Sequence, residues 1–293
     1  GIQRVLIRHG FDELILSIPY LTPIKLVRYL LPWNWLGRTY KPRGERIRLV
    51  LEELGPIFVK FGQILSTRRD LIPDDIATEL RNLQDNVAAF PGEEAARIVE
   101  VAHDKELDDL FLDFDKEPLA SASIAQVHAA QLLDGTQVIV KIVRPNLLKA
   151  IRQDISLMYS IAAIGERYWS FGKQLKLSLI VGEFEKTILD ELDMMREAAN
   201  ASQLRRNNED SDILLVPQIY WPLTRHDVLV MERVDGLNIG DRDNLLAAGV
   251  DLKILAEQGI ELFFGQVFRD NFFHADIHPG NMFVVVDKGT RKS

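Results

Sequence analysis

From residue 43 onward the apolar positions recur at helical intervals: Ile47, Val50, Leu51, Leu54, Ile57, Phe58, Phe61 and Leu65. That spacing lays one apolar stripe along a helical surface and predicts helix across residues 43–84. Pro73 marks a fresh helix start within it, and Pro91-Gly92-Glu93-Glu94 begins another helix running to about His103. Roughly the first hundred residues are therefore expected to be helical. The pattern changes at Pro118. Residues 125–132 alternate in part, Asp134-Gly135 is a tight-turn signal, and Val138-Ile139-Val140-Lys141-Ile142-Val143 is β-branched, which together predict an antiparallel hairpin. Helical texture resumes to about Asn207. A second strand pair is predicted near residues 213–219 and 227–233. Residues 252–273 read as a buried apolar helix, and residues 282–286 as a short strand. No internal repeat or low-complexity stretch interrupts this order.

Composition narrows the class. The chain has 293 residues, 47% of them apolar, enough for one large core or two smaller ones, and two lobes or domains is the natural expectation. A formal charge of −8 argues against a nucleic-acid binder with basic surface throughout. The charge is uneven: residues 1–50 hold nine Lys/Arg against three acids, +6 there and −14 over the remainder. The same stretch carries Trp33 and Trp35, and tryptophan beside basic residues suits a boundary between apolar and wet surroundings. Zero cysteines excludes disulfides, thiolate zinc sites and cysteine nucleophiles, and fits a reducing compartment. The longest uncharged apolar stretches, residues 14–24 and 155–165, fall well short of the roughly 20 residues a membrane-spanning helix requires. The chain begins at Gly1 and ends in a polar run just after a predicted strand, so a fragment of a longer protein is expected.

Three motifs carry chemistry. Residues 274–281 read His-Ala-Asp-Ile-His-Pro-Gly-Asn. An Asp followed five residues later by Asn is the spacing of the protein-kinase catalytic loop, which makes Asp276 the candidate for positioning an attacking oxygen and Asn281 the candidate magnesium ligand. A zinc reading of His274 and His278 is disfavoured by Pro279 and the lack of a third ligand. Upstream, Ala120, Ser121, Ala122, Ser123, Ile124, Ala125, Gln126 and Val127 fit the register of a kinase glycine-rich loop with every Gly replaced by Ala, and Lys141 follows at the end of Val138-Ile139-Val140. Alanine restricts close approach and positive φ, so a stiffer phosphate loop with altered nucleotide handling is expected. The third element is the acidic segment 183–197, in which Glu191 and Glu197 are both candidates to hold Lys141. The sequence does not choose between them. Residues 228–234 look like a strand entering a hinge, where the Glu232 carbonyl and the Val234 N–H would meet adenine.

Taken together these residues resemble the UbiB family of atypical, protein-kinase-like proteins of ubiquinone (coenzyme Q) biosynthesis, and the bacterial members in particular. The resemblance rests on Lys60-Phe61-Gly62-Gln63 (the family's K-x-G-Q), the alanine-rich loop 120–125, Lys141, Glu191-Leu192-Asp193 (its E-x-D) and residues 274–281. It implies an α+β, two-lobed kinase-like fold. Residues 1–112 would be an N-terminal helical extension, 113–235 an N-lobe with the loop and inserted helices, and 236–293 an incomplete C-lobe. In that family K-x-G-Q folds over the place where a protein substrate would bind, and E-x-D contacts it. Seen alone, Lys60 is an ordinary exposed lysine and Gly62 a helix position costing about 1 kcal/mol. With Glu191 and Asp193 at hand, an ion-paired Lys60 is expected. The family's Asp-x-Gly after the catalytic loop has no acceptable counterpart, because Asp287-Lys288-Gly289 sits too close to that loop. The fragment alone is accordingly expected to have little or no activity.

The resemblance implies ATP (or ADP) and Mg²⁺ as cofactors, and a membrane surface, polyprenyl or quinone lipid precursors and quinone biosynthetic enzymes as partners. It places the full-length protein on the cytoplasmic side of the inner membrane, anchored by C-terminal segments. An ATPase is favoured over a conventional protein kinase, because the helical extension would occlude a peptide. The alternative is a non-catalytic, nucleotide-dependent scaffold that handles lipid for quinone biosynthetic enzymes.

Overall fold

The computed structural model describes residues 5, 8–9, 41–83, 87–168, 170–272 and 282–286. Its chain divides into two compact units that interleave along the sequence. One takes residues 1–89, 121–125 and 144–192; the other takes 90–120, 126–143 and 193–293.

The first unit is helical. Helices α1 (Arg43–Leu54), α2 (Pro56–Thr67) and α3 (Asp74–Leu80) pack on one another. Pro56 opens α2 at its first helical position, where a missing N–H costs nothing, and Pro73 precedes α3 as its cap residue. Of the apolar stripe read from the sequence, Val50, Leu51, Ile57 and Phe58 are buried while Ile47, Leu54, Phe61 and Leu65 are half-buried, and Ile76, Ala77 and Leu80 of α3 are buried as well. Further along, α5 (Leu147–Tyr168), α6 (Ser170–Leu175) and α7 (Leu177–Glu191) form a second helical layer in this unit. Ile151, Ile155 and Met158 of α5 are buried, as are Val181, Phe184 and Ile188 of α7.

The second unit is built on a sheet. Strands β1 (Phe111–Phe114), β3 (Ala125–Leu132), β4 (Gln137–Val143) and β5 (Val228–Glu232) run in the order β1-β3-β4-β5, and the two-residue strand β2 (Ala120–Ser121) also pairs with β3. The β3–β4 hairpin closes at Gly135, which sits at φ 90°, where only glycine is comfortable; the Asp134 carboxylate accepts the Thr136 N–H across the turn. In β4, Val138, Val140 and Ile142 point into the core while Ile139 and Lys141 stay half-exposed, the period of a sheet with one dry face. Helix α4 (Gly92–His103) covers that face, contributing Ala95, Ala96 and Val99 to the same cluster as Val138, Val140, Ile142, Val228 and Val230. So α4, which the sequence grouped with the helical extension, contributes to the core of the sheet-bearing unit.

β3 also buries two polar side chains, Gln126 and His128. The Gln126 amide accepts the Phe90 N–H (3.0 Å) and donates to the Phe90 carbonyl (3.1 Å) and to His128 Nε2 (2.9 Å). His128 Nδ1 lies 2.8 Å from the Asp115 carbonyl, which can only accept. Every polar atom of the pair is thereby satisfied with the imidazole neutral.

Helix α8 (Met194–Asn207) belongs to this unit, as do β6 (Leu237–Asn238), α9 (Arg242–Ala247), α10 (Leu252–Phe264) and β7 (Phe283–Val284). β7 pairs antiparallel with β6, so the short strand expected near residues 282–286 is present. Two expectations are corrected. Residues 213–219 form no strand and contribute one isolated bridge, Ile219 to Met231. Their apolar side chains had suggested a strand, but pairing with β5 is confined to the end of the segment, where the Glu232 N–H donates to the Gln218 carbonyl and the Tyr220 N–H to the Val230 carbonyl. The apolar run 252–273 is not one buried helix. It is α10 followed by a π-helical turn at Gly265–Arg269, and no residue of α10 is buried. Phe264 stacks on Phe268, which is 77% exposed. Among the described residues α10 chiefly meets the turn that follows it.

Candidate functional site

Lys141 projects from β4 on the face opposite the α4 core, between buried Val140 and Ile142. Its Nζ donates to both carboxylate oxygens of Glu197, at 2.8 Å each. Glu197 lies in the first turn of α8, where the N-terminal end of the helix dipole favours a negative charge. The turn itself is fixed from two sides. The Asp193 carboxylate accepts the Met195 and Arg196 N–H groups, and the Met194 N–H donates to the His226 carbonyl at the entry to β5. Met194 and Ala198 anchor the helix below the surface. Of the two candidates left open by the sequence, Glu197 is the one paired with Lys141.

Glu191 pairs elsewhere, within the helical unit. It ends α7, and its carboxylate stands 3.1 Å from Lys60 Nζ. Every residue of the Lys60–Gln63 run ties α2 to a neighbour. Phe61 meets Phe184 of α7 edge-on, with ring centroids 5.1 Å apart. Gly62 lies so close to the neighbouring side chains that a Cβ there would stand 2.4 Å from Leu83 and 2.7 Å from Leu51. Gln63 donates to the Leu83 carbonyl at 3.1 Å. The expected Lys60 ion pair is therefore present with Glu191, whereas the Asp193 side chain caps α8.

The alanine-rich loop is tightly turned. The Ala122 N–H donates to the Ala125 carbonyl at 2.9 Å, Ala122 is exposed at the tip, and Ser123, Ile124 and Ala125 are buried. Leading out of it, Val127 accepts the Leu119 N–H. At the expected hinge, Glu232 closes β5. Its carboxylate accepts the Gln218 N–H and lies 3.7 Å from Arg205, and the Arg233 N–H donates to the Gln137 carbonyl. Val234 follows, half-buried. Asp276, Asn281, His274 and His278 lie outside the described residues. Among the described residues no group of three or more His, Asp or Glu assembles as a metal-binding cluster. Taken separately, an amine held in place by a carboxylate and a loop of small side chains are each of the chemistry that nucleotide phosphates would meet. The sequence missed Arg144, which holds the loop's carbonyls; nothing in its position at a strand end before Pro145 signalled that task.

A strand-borne lysine held by a glutamate near the start of a helix is the arrangement of a protein-kinase-like small lobe. Residues 82–291 match the model of the ABC1 atypical kinase-like domain, and the chain belongs to that family. It is 54% identical over 286 residues to the "Probable protein kinase UbiB" of Azotobacter vinelandii, a match covering 97% of this chain and 53% of that relative. The Marinobacter nauticus protein of the same name is 53% identical over 285 residues, covering 97% and 52%. Among solved structures, the Rv3197–erythromycin complex from Mycobacterium tuberculosis is similar at 27% identity and a TM-score of 0.51, over 80% of this chain and 59% of that one. The chain spans about half the length of the curated relatives it matches.

Proposed function

We propose that this chain carries the nucleotide-binding part of an atypical kinase-like enzyme, an ATPase in its full-length form, that supports ubiquinone biosynthesis at a membrane. The observation that carries the reading is the two-oxygen grip of Glu197 on Lys141. A lysine pinned in that way is held ready for the α- and β-phosphates, and the sequence register gives the loop at 120–125 the phosphate-binding place. The Glu232 carbonyl and Val234 N–H would take adenine, Asn281 would hold Mg²⁺, and Asp276 would orient the attacking oxygen of water or a small acceptor. When bound, the magnesium nucleotide supplies the phosphoryl group and the neutralising charge. The protein's part is to position and to exclude competing reactions. Asp276→Asn in the full-length protein should abolish ATP turnover while leaving nucleotide binding measurable; unchanged turnover would overturn the assignment.

The basic start of the chain favours a membrane-facing role alongside this. A net +6 over residues 1–50 suits an anionic lipid surface, where each Lys or Arg contributes about 1 kcal/mol. Among the described residues no helix is long and apolar enough to cross a membrane. A scaffold that binds nucleotide without hydrolysing it is the second reading, supported by the tightly turned, glycine-free loop. Rescue of quinone synthesis by a binding-competent, hydrolysis-dead variant would favour it over the ATPase.

A further inference from the structure

We propose that Arg144 is the positioning residue of the alanine-rich loop: its guanidinium sets the loop conformation that receives nucleotide phosphates, a task glycine flexibility performs elsewhere. The inference rests on the nucleotide reading above. Arg144 follows β4 and is half-buried. Its Nε donates to the Ala122 carbonyl at 2.7 Å, and its Nη2 reaches Ser121 Oγ at 2.6 Å. The same Nη2 meets the Ala88 carbonyl at 2.9 Å and the Val87 carbonyl at 3.4 Å, and the Arg144 backbone N–H donates to the Ile124 carbonyl at 2.9 Å. One residue therefore grips the loop at three places and fastens it to the chain that leaves α3. Gln63 of α2 holds that same stretch further upstream, at Leu83.

The consequence follows from peptide geometry. A trans peptide is planar, with its C=O and the next N–H pointing in opposite directions. Fixing the Ala122 carbonyl fixes the direction of the Ser123 N–H, and fixing the Ile124 carbonyl fixes that of the Ala125 N–H. A flexible glycine loop orders itself around phosphate when the ligand arrives, and that ordering opposes binding. A loop already held loses less entropy. Only a planar fork with several donors on one edge can bridge two segments in this way, and lysine, a compact point charge, cannot.

Nucleotide affinity and hydrogen exchange at residues 120–125 would be measured together in full-length wild type, Arg144→Gln and Arg144→Lys, with thermal melting as the check on folding. Both variants should melt near wild type, exchange faster at residues 121–125 and around 87–88, and bind MgATP and MgADP about tenfold more weakly. Arg144→Lys should be nearly as impaired as Arg144→Gln, because the fork rather than the charge is lost. Unchanged loop exchange in folded Arg144→Gln overturns the assignment, as does wild-type or tighter affinity in that variant. So does full rescue by lysine, which would reduce the role to charge. Failure of wild type itself to bind either nucleotide would sink the nucleotide reading and this role with it, and the exchange data would still report whether the clamp holds the loop.

Discussion

Lys141 and Glu197, 56 residues apart in sequence, meet through two equal 2.8 Å contacts, and the helix that brings Glu197 there is itself capped by Asp193. The pair is only part-buried, with 29% and 38% of the two side chains exposed, so its value to stability is about 0–1 kcal/mol. On the proposed nucleotide role its value to binding is larger, since an unpinned lysine would have to be ordered by the ligand. Glu197→Gln should therefore move the melting temperature by no more than about 2–4 °C, yet weaken nucleotide binding about tenfold, some 1.4 kcal/mol. Calorimetric titration beside a thermal melt separates the two. A large loss of stability with unchanged affinity would make the pair structural.

Asp193 offers a complementary test. Its carboxylate satisfies two of the N–H groups that a helix leaves open at its start. Asp193→Ala should cost about 1 kcal/mol of stability, and Asp193→Asn much less, since asparagine caps nearly as well. Because the cap holds the turn that carries Glu197, the alanine variant should also bind nucleotide more weakly. If asparagine impairs function as severely as alanine while stability stays intact, Asp193 has a charge-dependent task beyond capping.

His128 predicts a pH dependence with a definite sign. Burial lowers its pKa below the ordinary 6.5, against weaker opposing effects of the Asp115 carbonyl and the Asp115 and Glu117 charges. The folded protein thus holds the ring neutral, with Nδ1 donating to Asp115 and Nε2 accepting from Gln126. A second proton would set two donors against each other at Nε2. The unfolded chain takes that proton more readily, so this contribution to stability is fully present above pH 6.5 and is lost as pH falls from there through the folded-state pKa. Urea unfolding between pH 7.5 and 5 should show the decline, with a shallower slope in His128→Gln. Equal slopes in both proteins would exclude His128 as the source.

Much of this architecture was legible in the sequence because the driving force is local. The stripe from Ile47 to Leu65, the prolines before α3 and α4, and the Asp-Gly of the β3–β4 turn each act over a few residues. What escaped depends on distant partners. Glu191 and Glu197 lie in one acidic, helix-like stretch, and only the break at Leu192-Asp193 sends them to different lysines. That break had a signal, an Asp placed to cap the Met194-Met195 turn, but Asp193 read first as part of a motif. Residues 213–219 had strand composition and lacked a ladder, which composition cannot reveal. Periodicity likewise said that α10 was apolar and could not say what would cover it.

Gly62 sets two opposing effects against each other. Within α2, replacing Gly by Ala should gain about 1 kcal/mol of helix propensity. The added methyl, however, would stand 2.4 Å from the Leu83 side chain and 2.7 Å from that of Leu51, both buried, with Leu80 close behind. Overfilling such a contact costs about 1–3 kcal/mol. Leucine methyls can shift a little, but here two of them bound the same space and neither has solvent to move into. The clash should win, leaving Gly62→Ala destabilised by up to about 2 kcal/mol. The displaced Leu83 should also lengthen the Gln63 contact to its carbonyl, so hydrogen exchange should quicken near residue 83 before global unfolding does. Urea midpoints for Gly62→Ala and wild type would decide it. A Gly62→Ala protein as stable as wild type, or more so, would show that the close packing of α2 does not require glycine.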